Sequence, residues 1–392
     1  MENVRPRLTS IEIHGYRPFG EFLAPLGPLE VLVGANGSGK SSLFEFLKFL
    51  RDSLQQDIPP EIVPGSIGQQ LFHKPGPERF WWNVEVQLGG PERVTYEGEL
   101  IGHVGQPVIS YERVQGDPDK VQDRPEFLRM GWDREMRVGM MEDPSGERQP
   151  ISLRRPTQLA LSLATNPQLE TLYVLREYIL GWRFYSSFTI AGEKIRRPVP
   201  IEQEPVLRED AGNLSALLHF LYTEHPATFD ELQQHLRAAV PGFRGLSVKA
   251  RGGPGQVMVF WREEGLDDEL SLADLSDGTL RLLCWMVLCL QPNPPSLVCI
   301  DEPDQGVHPR TLPILGGLFE KAADRTQFLL ATHASYFLLQ FEVGRIAVLR
   351  REHGEAKFVK PADSEALTRN LDDFGPEELE VMHRSDELEQ LA

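Results

Sequence analysis

The chain has 392 residues, 41% of them apolar, and carries 58 acidic against 40 basic side chains for a net charge of −18. That length allows a large core in two lobes, or in one domain with a big insertion, while the acidic balance argues against a dedicated nucleic-acid binder, which shows a basic excess. No apolar run reaches the roughly 18 residues of a transmembrane helix, the opening MENVRPRLTS has no apolar signal region, and Cys284, Cys289 and Cys299 lie in apolar segments without metal-ligand spacing, so the expectation is a cytoplasmic protein with buried reduced thiols.

In chain order, Leu8 to Ile13 alternates as a first strand, and residues 15–20 (GYRPFG) lead to a second at 29–33. The stretch Leu29 to Ser42, LEVLVGANGSGKSS, then runs from an apolar strand into glycines, a lysine and two serines. Gly34, Gly39, Lys40 and Ser41 fit G-x-x-x-x-G-K-[ST], in which backbone N–H groups cradle phosphates, lysine reaches the β- and γ-phosphates and the hydroxyl meets Mg²⁺. Within that loop Asn36, Gly37, Ser38 and Ser42 are further candidate phosphate contacts. Only a bare backbone turns so tightly and approaches phosphate so closely. Leu43, Phe46, Leu47 and Leu50 give the following segment helical periodicity, and the helix aims its positive N-terminal end at the ligand.

A Pro/Gly-rich loop at Pro59 to Pro77 precedes three strand-like runs, Trp82 to Leu88, Arg93 to Ile101 and Val108 to Val114, which predict an antiparallel sheet beside the nucleotide-binding one. From Gln115 to about Pro150 the composition is charged and broken, which predicts an insertion of loops with weak structure. Helices are expected at Gln168 to Leu180, Asn213 to Tyr222 and Thr228 to Val240, the last with Thr228 and Glu231 at capping-box spacing. Two strands follow, Leu246 to Ala250 and Gln256 to Trp261. The basic clusters at Arg154-Arg155 and at Lys194, Arg196 and Arg197 read as solvated faces, so DNA is a possible ligand only through a local patch.

Three late segments complete a site. Ser276-Asp277-Gly278 opens an apolar helix that runs to about Leu290, which makes a second anion site at a helix N-terminus. Ser296 to Glu302, SLVCIDE, is a buried strand ending in two carboxylates: Asp301 suits a water-mediated hold on Mg²⁺ and Glu302 suits polarising an attacking water. The strand Gln327 to Ala331 ends at Thr332-His333, which sets His333 where it can touch a γ-phosphate.

The order P-loop, LSDG, CIDEP, DQGVHP, ATHAS resembles the ATP-binding-cassette ATPases of the SMC, RecF and OLD-like branch, and within it the bacterial AAA-type ATPases of the AbiEii-toxin or RecF-like kind. The resemblance covers nearly the whole chain, including residues 182–185 (WRFY) and 210–214 (DAGNL). It implies an α/β fold: an ABC-type P-loop NTPase head with a mixed central sheet, an antiparallel β-subdomain and a helical insertion. The expected division is 1–114 for the first ATPase lobe, 115–270 for the insertion and helical region, and 271–392 for the second lobe. By the same resemblance Ser276 and Gly278 form the signature motif, Asp304 lies in the D-loop, His333 is the switch histidine and Arg17 touches nucleotide. The Q-loop glutamine is not identifiable, and Gln158 is the candidate for it and for a metal contact beside Ser41 and Asp301. The signature reads LSDGT where transport cassettes have LSGGQ.

The resemblance further implies ATP and Mg²⁺ as ligands, hydrolysis to ADP and phosphate, and a homodimer or higher oligomer that sandwiches ATP between the P-loop of one subunit and Ser276 of the other. A switch or clamp in phage defence or DNA maintenance is then the expected role. Only 59 residues follow His333, ending in an expected acidic helix at Pro376 to Glu389, too few for the Toprim nuclease of OLD proteins, so any nuclease or toxin would be a separate partner. A transporter motor fits poorly, because 236 positions separate Lys40 from Ser276. A scaffold that binds ATP only to assemble is disfavoured by intact Asp301, Glu302 and His333.

Overall fold

The computed structural model describes residues 5–55, 58, 71–89, 92–102, 107–117, 119, 124–133, 136–143, 145–153, 155–187 and 193–363. The chain begins with the hairpin β1 (Arg7–Tyr16) and β2 (Phe19–Pro25), then forms β3 (Leu29–Val33) and α1 (Lys40–Gln55). Six strands follow: β4 (Arg79–Gly89), β5 (Glu92–Ile101), β6 (Val108–Gly116), β7 (Glu126–Asp133), β8 (Met136–Glu142) and β9 (Arg148–Ser152). They extend the hairpin into an eight-stranded antiparallel sheet in the order β2-β1-β4-β5-β6-β7-β8-β9. Alternation accounts for the inner strands: in β4 Phe80, Trp82, Val84, Val86 and Leu88 turn inward, and the residues between them do not.

The charged segment from 115 to 150 therefore differs from its expectation as weakly structured loops. β6 runs past residue 114 to Gly116, and β7 to β9 carry the same sheet onward. Charge hid these strands because charged side chains pair across the ladder beside the few apolar residues that reach the core, Leu128, Met130 and Met141: Arg113 bonds Glu126 at 2.7 Å, and Arg148 bonds Glu142 at 2.7 Å.

The second half supplies α2 (Glu170–Leu180), β10 (Arg183–Ser186), β11 (Val199–Pro200), α3 (Leu214–Glu224), α4 (Pro226–Ala239), β12 (Phe243–Ala250), β13 (Gln256–Glu263) and β14 (Leu270–Ser271). After these come α5 (Asp277–Leu290), β15 (Leu297–Asp301), α6 (Leu312–Ala322), β16 (Gln327–Ala331), β17 (Ile346–Glu352) and β18 (Glu355–Val359). α4 starts at Pro226, whose fixed φ and missing N–H suit the first helical position. The capping box expected at Thr228 therefore does not form, and Glu231 pairs instead with Lys321 on α6 at 2.7 Å. The acidic helix expected at 376–389 and most of the loop expected at 59–77 lie outside the described residues.

The six-stranded sheet has the order β10-β15-β16-β3-β17-β18, parallel except for β18. β3 and β16 are buried along their whole length, as expected of parallel strands covered on both faces. Alternate residues feed two cores. Leu29, Val31 and Val33 face the side of α3 to α6, whereas Leu32 faces α1, α2 and the antiparallel sheet. The buried Gln327 amide ties the two sheets together, donating to the carbonyls of Leu8 and Gly27 at 2.7 Å each and accepting from the Leu8 N–H at 3.0 Å.

α1 is held against the antiparallel sheet by an aromatic cluster in which Trp82, fully buried, meets Phe46, Phe49, Phe80 and Tyr96. Trp82→Ala is expected to cost about 3–5 kcal/mol of unfolding free energy, read as a lower midpoint in urea at unchanged slope.

Candidate functional site

The carboxyl ends of β3, β16, β15 and β10 lie side by side, with Leu32 opposite Ala331, Ala331 opposite Asp301, and Asp301 opposite Ser186. Ligands of open parallel sheets bind at such an edge. Because β16 stands between β3 and β15, the residues that follow it separate the glycine loop from the acidic strand end.

The glycine loop is built as its sequence requires. Gly34, Gly37 and Gly39 have φ of 146°, 80° and 120°, in the region that side chains disfavour. A Cβ on Gly34 would also lie 2.0 Å from the Leu349 carbonyl oxygen on β17, so the loop leaves the sheet only by that close approach. Lys40 opens α1, is 6% exposed, and donates from Nζ to the Gly34 carbonyl at 2.5 Å. The Ser38 hydroxyl is buried with no hydrogen-bond partner among the described residues.

Asp301 ends β15, and Glu302 follows in a left-handed conformation with φ 55°. Its N–H donates to Ala331 at 2.8 Å, and its carbonyl accepts the Ser187 hydroxyl. His333 Nε2 lies 3.7 Å from Glu302 Oε1. Asp304, 6% exposed, accepts from the Thr332 hydroxyl at 2.6 Å. Burial raises the Glu302 carboxyl to about 7, with the charges of Asp304 and Asp301 adding to it. Burial also raises Asp301, against the pull of Lys40, and raises Asp304, against the Thr332 bond.

One cavity of about 1280 Å³ gathers most of the expected site: Arg17, the loop from Asn36 to Ser42 and, across from it, Asp301, Glu302 and His333. Gly34 shapes the loop from behind, and Asp304 sits beneath Thr332, so neither lines the cavity. Ser276 and Gly278 line a different, smaller pocket beside Gly306 and His308. Ser276 caps α5, accepting from the Thr279 N–H at 3.2 Å.

Gln158 joins neither pocket. Its carbonyl accepts from Arg137 at 3.0 Å and its amide lies 3.5 Å from the Ser162 hydroxyl, so it belongs to the turn packed on the antiparallel sheet. The place beside Asp301 is held instead by the end of β10, Ser186 and Ser187. The cavity also takes in residues that sequence reasoning passed over: Glu45, Phe72, His73, Lys74, Gln305, Arg351 and Gly354. Phe72 arrives by a bridge to Tyr16, and His73 Nδ1 meets the Arg17 carbonyl at 2.8 Å. Gln305 was legible as part of DQGVHP, but nothing local shows that its side chain turns to the strand ends. Arg17 itself has φ 46° and pairs with Glu45.

The residues fit a nucleoside triphosphate with a divalent cation. An unpartnered buried hydroxyl and three left-handed glycines form a nest of the kind that takes phosphate. Three carboxyls are raised by burial, Glu302 further by the charges of Asp304 and Asp301, and a cation would relieve that cost. Among the described residues no three His, Cys, Asp or Glu side chains form a metal cage by themselves. No helix among them is long and apolar enough to cross a membrane.

A family model described as "AAA domain, putative AbiEii toxin, Type IV TA system" matches residues 30–339. No curated protein matches the chain. Among solved structures, an Smc head bound to the C-winged helix domain of ScpA is similar at 13% identity and a TM-score of 0.51, covering 90% of this chain and 97% of that one. An Smc head domain with an extended coiled coil, bound to the C-terminal domain of ScpA derived from Pyrococcus furiosus, gives 11% identity and a TM-score of 0.53 over 94% and 100%. The fold is that of the SMC head, an ABC-type P-loop NTPase.

The raised carboxyl of Glu302 makes stability depend on pH. Its native pKa of about 7 exceeds the ordinary 4.5, so the native state binds the extra proton between those values and loses that stabilisation as pH rises through 7. Glu302→Gln is therefore expected to melt higher than wild type at pH 8, by about 2 °C for a gain on the order of 1 kcal/mol, and to match it only below the ordinary value of 4.5. Melting curves at pH 8 and below that value check this.

Proposed function

The chain belongs to the AAA-domain family of the AbiEii-toxin kind, and from that premise we propose that it is an ATPase whose two sites are completed only when two copies meet. One observation carries this reading. The P-loop, Asp301, Glu302 and His333 share one cavity, whereas Ser276 and Gly278 line another, so a single chain holds the two half-sites in separate pockets.

In this reading the backbone from Gly34 to Ser42 cradles the α- and β-phosphates of ATP, and the helix dipole of α1 favours their charge. Lys40 swings from the Gly34 carbonyl to the β- and γ-phosphates. Mg²⁺, held through Ser41 and Asp301, supplies charge neutralisation across the phosphates. Glu302 accepts a proton from the attacking water. His333 steadies the γ-phosphate from the end of β16, and Asp304 holds Thr332, from which that histidine projects. Arg17 reaches the nucleotide from the cavity wall. Ser276 and Gly278 of the second copy cap the γ-phosphate through the α5 N-terminus. ATP is thus the ligand that favours the closed pair, and hydrolysis releases it.

The output is a change of shape, passed to a separately encoded nuclease or toxin in phage defence or DNA maintenance. The family's description, which names a toxin and a type IV toxin–antitoxin system, supports a toxin–antitoxin setting for that output. The Smc heads bound to ScpA domains support a head that works through a protein partner. The net charge of −18 leaves DNA to a local patch or to that partner.

Lys40→Ala is expected to abolish ATP binding in calorimetry, and wild-type affinity in that variant would remove the P-loop assignment. Glu302→Gln is expected to double its solution mass with ATP and Mg²⁺. A doubling strengthened by duplex DNA supports a clamp, an indifferent one a regulator of a protein partner, and a persistent monomer contradicts the sandwich. Ser276→Arg should leave ATP binding by the single chain intact and stop hydrolysis.

A further inference from the structure

The two half-sites lie in different pockets but are joined through the interior by one side chain. Arg281 sits one turn into α5, behind Ser276 and Gly278. Its Nε donates to the Ser187 carbonyl at 2.7 Å, and its Nη1 donates to the Gln305 carbonyl at 3.3 Å. Each acceptor belongs to a residue that acts on the nucleotide cavity. Ser187 passes its own hydroxyl to the Glu302 carbonyl. Gln305 lines the cavity with Glu302 and His333, and its side-chain oxygen is buried with no donor among the described residues.

The fit around Arg281 is close. A Cβ on Gly306 would lie 2.2 Å from Nη1, and a Cβ on Gly278 would lie 2.1 Å from the Gly306 carbonyl. The signature end of α5 and the turn at 304–306 therefore have no slack between them, and a shift of one is a shift of the other. Glu302 is held by the same set of bonds in a left-handed conformation, which side chains adopt only when the surroundings impose it.

Resting on the dimer reading above, we propose that Arg281 is a positioning residue that couples the two sites: it transmits the seating of α5 on the partner's nucleotide to Glu302 and Gln305 of its own cavity. It touches no substrate. When α5 is drawn toward the neighbouring phosphate, Arg281 carries the Ser187 and Gln305 carbonyls with it and sets the Glu302 backbone and the Gln305 side chain for hydrolysis. Each site then responds to occupancy of the other, which is a coupling between sites in the thermodynamic sense.

The test compares wild type, Arg281→Ala, Arg281→Lys, Ser187→Ala and the Arg281→Ala/Ser187→Ala double variant in steady-state ATP hydrolysis, ATP binding and ATP-dependent solution mass. Arg281→Ala is expected to bind ATP and to pair as wild type does, to lose about tenfold or more in kcat, and to bring the Hill coefficient from near 2 to about 1. Arg281→Lys, which keeps one donor, should recover part of both. Because Arg281 and Ser187 act in series on Glu302, the double variant should be little worse than Arg281→Ala alone. Losses that add, or a lower melting temperature with kcat and Hill coefficient unchanged, would show a purely structural arginine and overturn the proposal. A wild type that never pairs on ATP removes the dimer reading and the coupling with it, whereas a cooperative wild type with an equally cooperative Arg281→Ala removes the coupling alone.

Discussion

Everything at this site depends on how β16 is inserted between β3 and β15. A parallel sheet buried on both faces fixes its strands in register, and here the register brings Leu32, Ala331, Asp301 and Ser186 into one row. The chain leaves each strand at the same edge, so one loop, two carboxylates, one histidine and two serines converge from segments far apart in sequence. Lys40, Asp301 and His333 share a cavity, with the strand that carries His333 between the strands that carry the other two.

That convergence has an electrostatic cost. Asp301, Glu302 and Asp304 are each pushed upward by burial, and Glu302 also by the charges of the other two. Lys40 offsets part of the cost at Asp301, and Thr332 part of it at Asp304. Glu302 has no such relief strong enough to restore it and stays near 7. A site arranged this way is poised for positive charge and for proton exchange, and it is least comfortable when empty and fully ionised.

Much of this was legible in the sequence because the signals were local. The turn from Val33 into Lys40 needs glycines, β15 and β16 are unbroken apolar runs, and Ser276 stands where a helix cap must. The rest was not local. His73 and Arg351 reach the cavity through the bridge to Tyr16 and through the β17–β18 hairpin, pairings that no window of sequence displays. Gln158 was misplaced because proximity to a helical segment says nothing of which sheet the segment covers; its neighbour Arg137 belongs to β8. The outer strands β7 to β9 were hidden by their charge, since their buried apolar residues are few, Leu128 and Met130 on β7 and Met141 on β8, and β9 is almost wholly exposed.

The position of β3 has a consequence for biosynthesis. The antiparallel sheet is drawn from a contiguous stretch, residues 7 to 152, and its ladder closes mostly between sequence neighbours. β3 is made almost at the start of translation, yet its neighbours on both sides are β16 and β17, roughly three hundred residues later. During synthesis β3 must therefore wait, apolar and unpaired, while the antiparallel sheet organises around α1. No ribosome-bound intermediate short of Gly354 contains the whole lining of this cavity, so the site is finished only when the parallel sheet that carries it is finished.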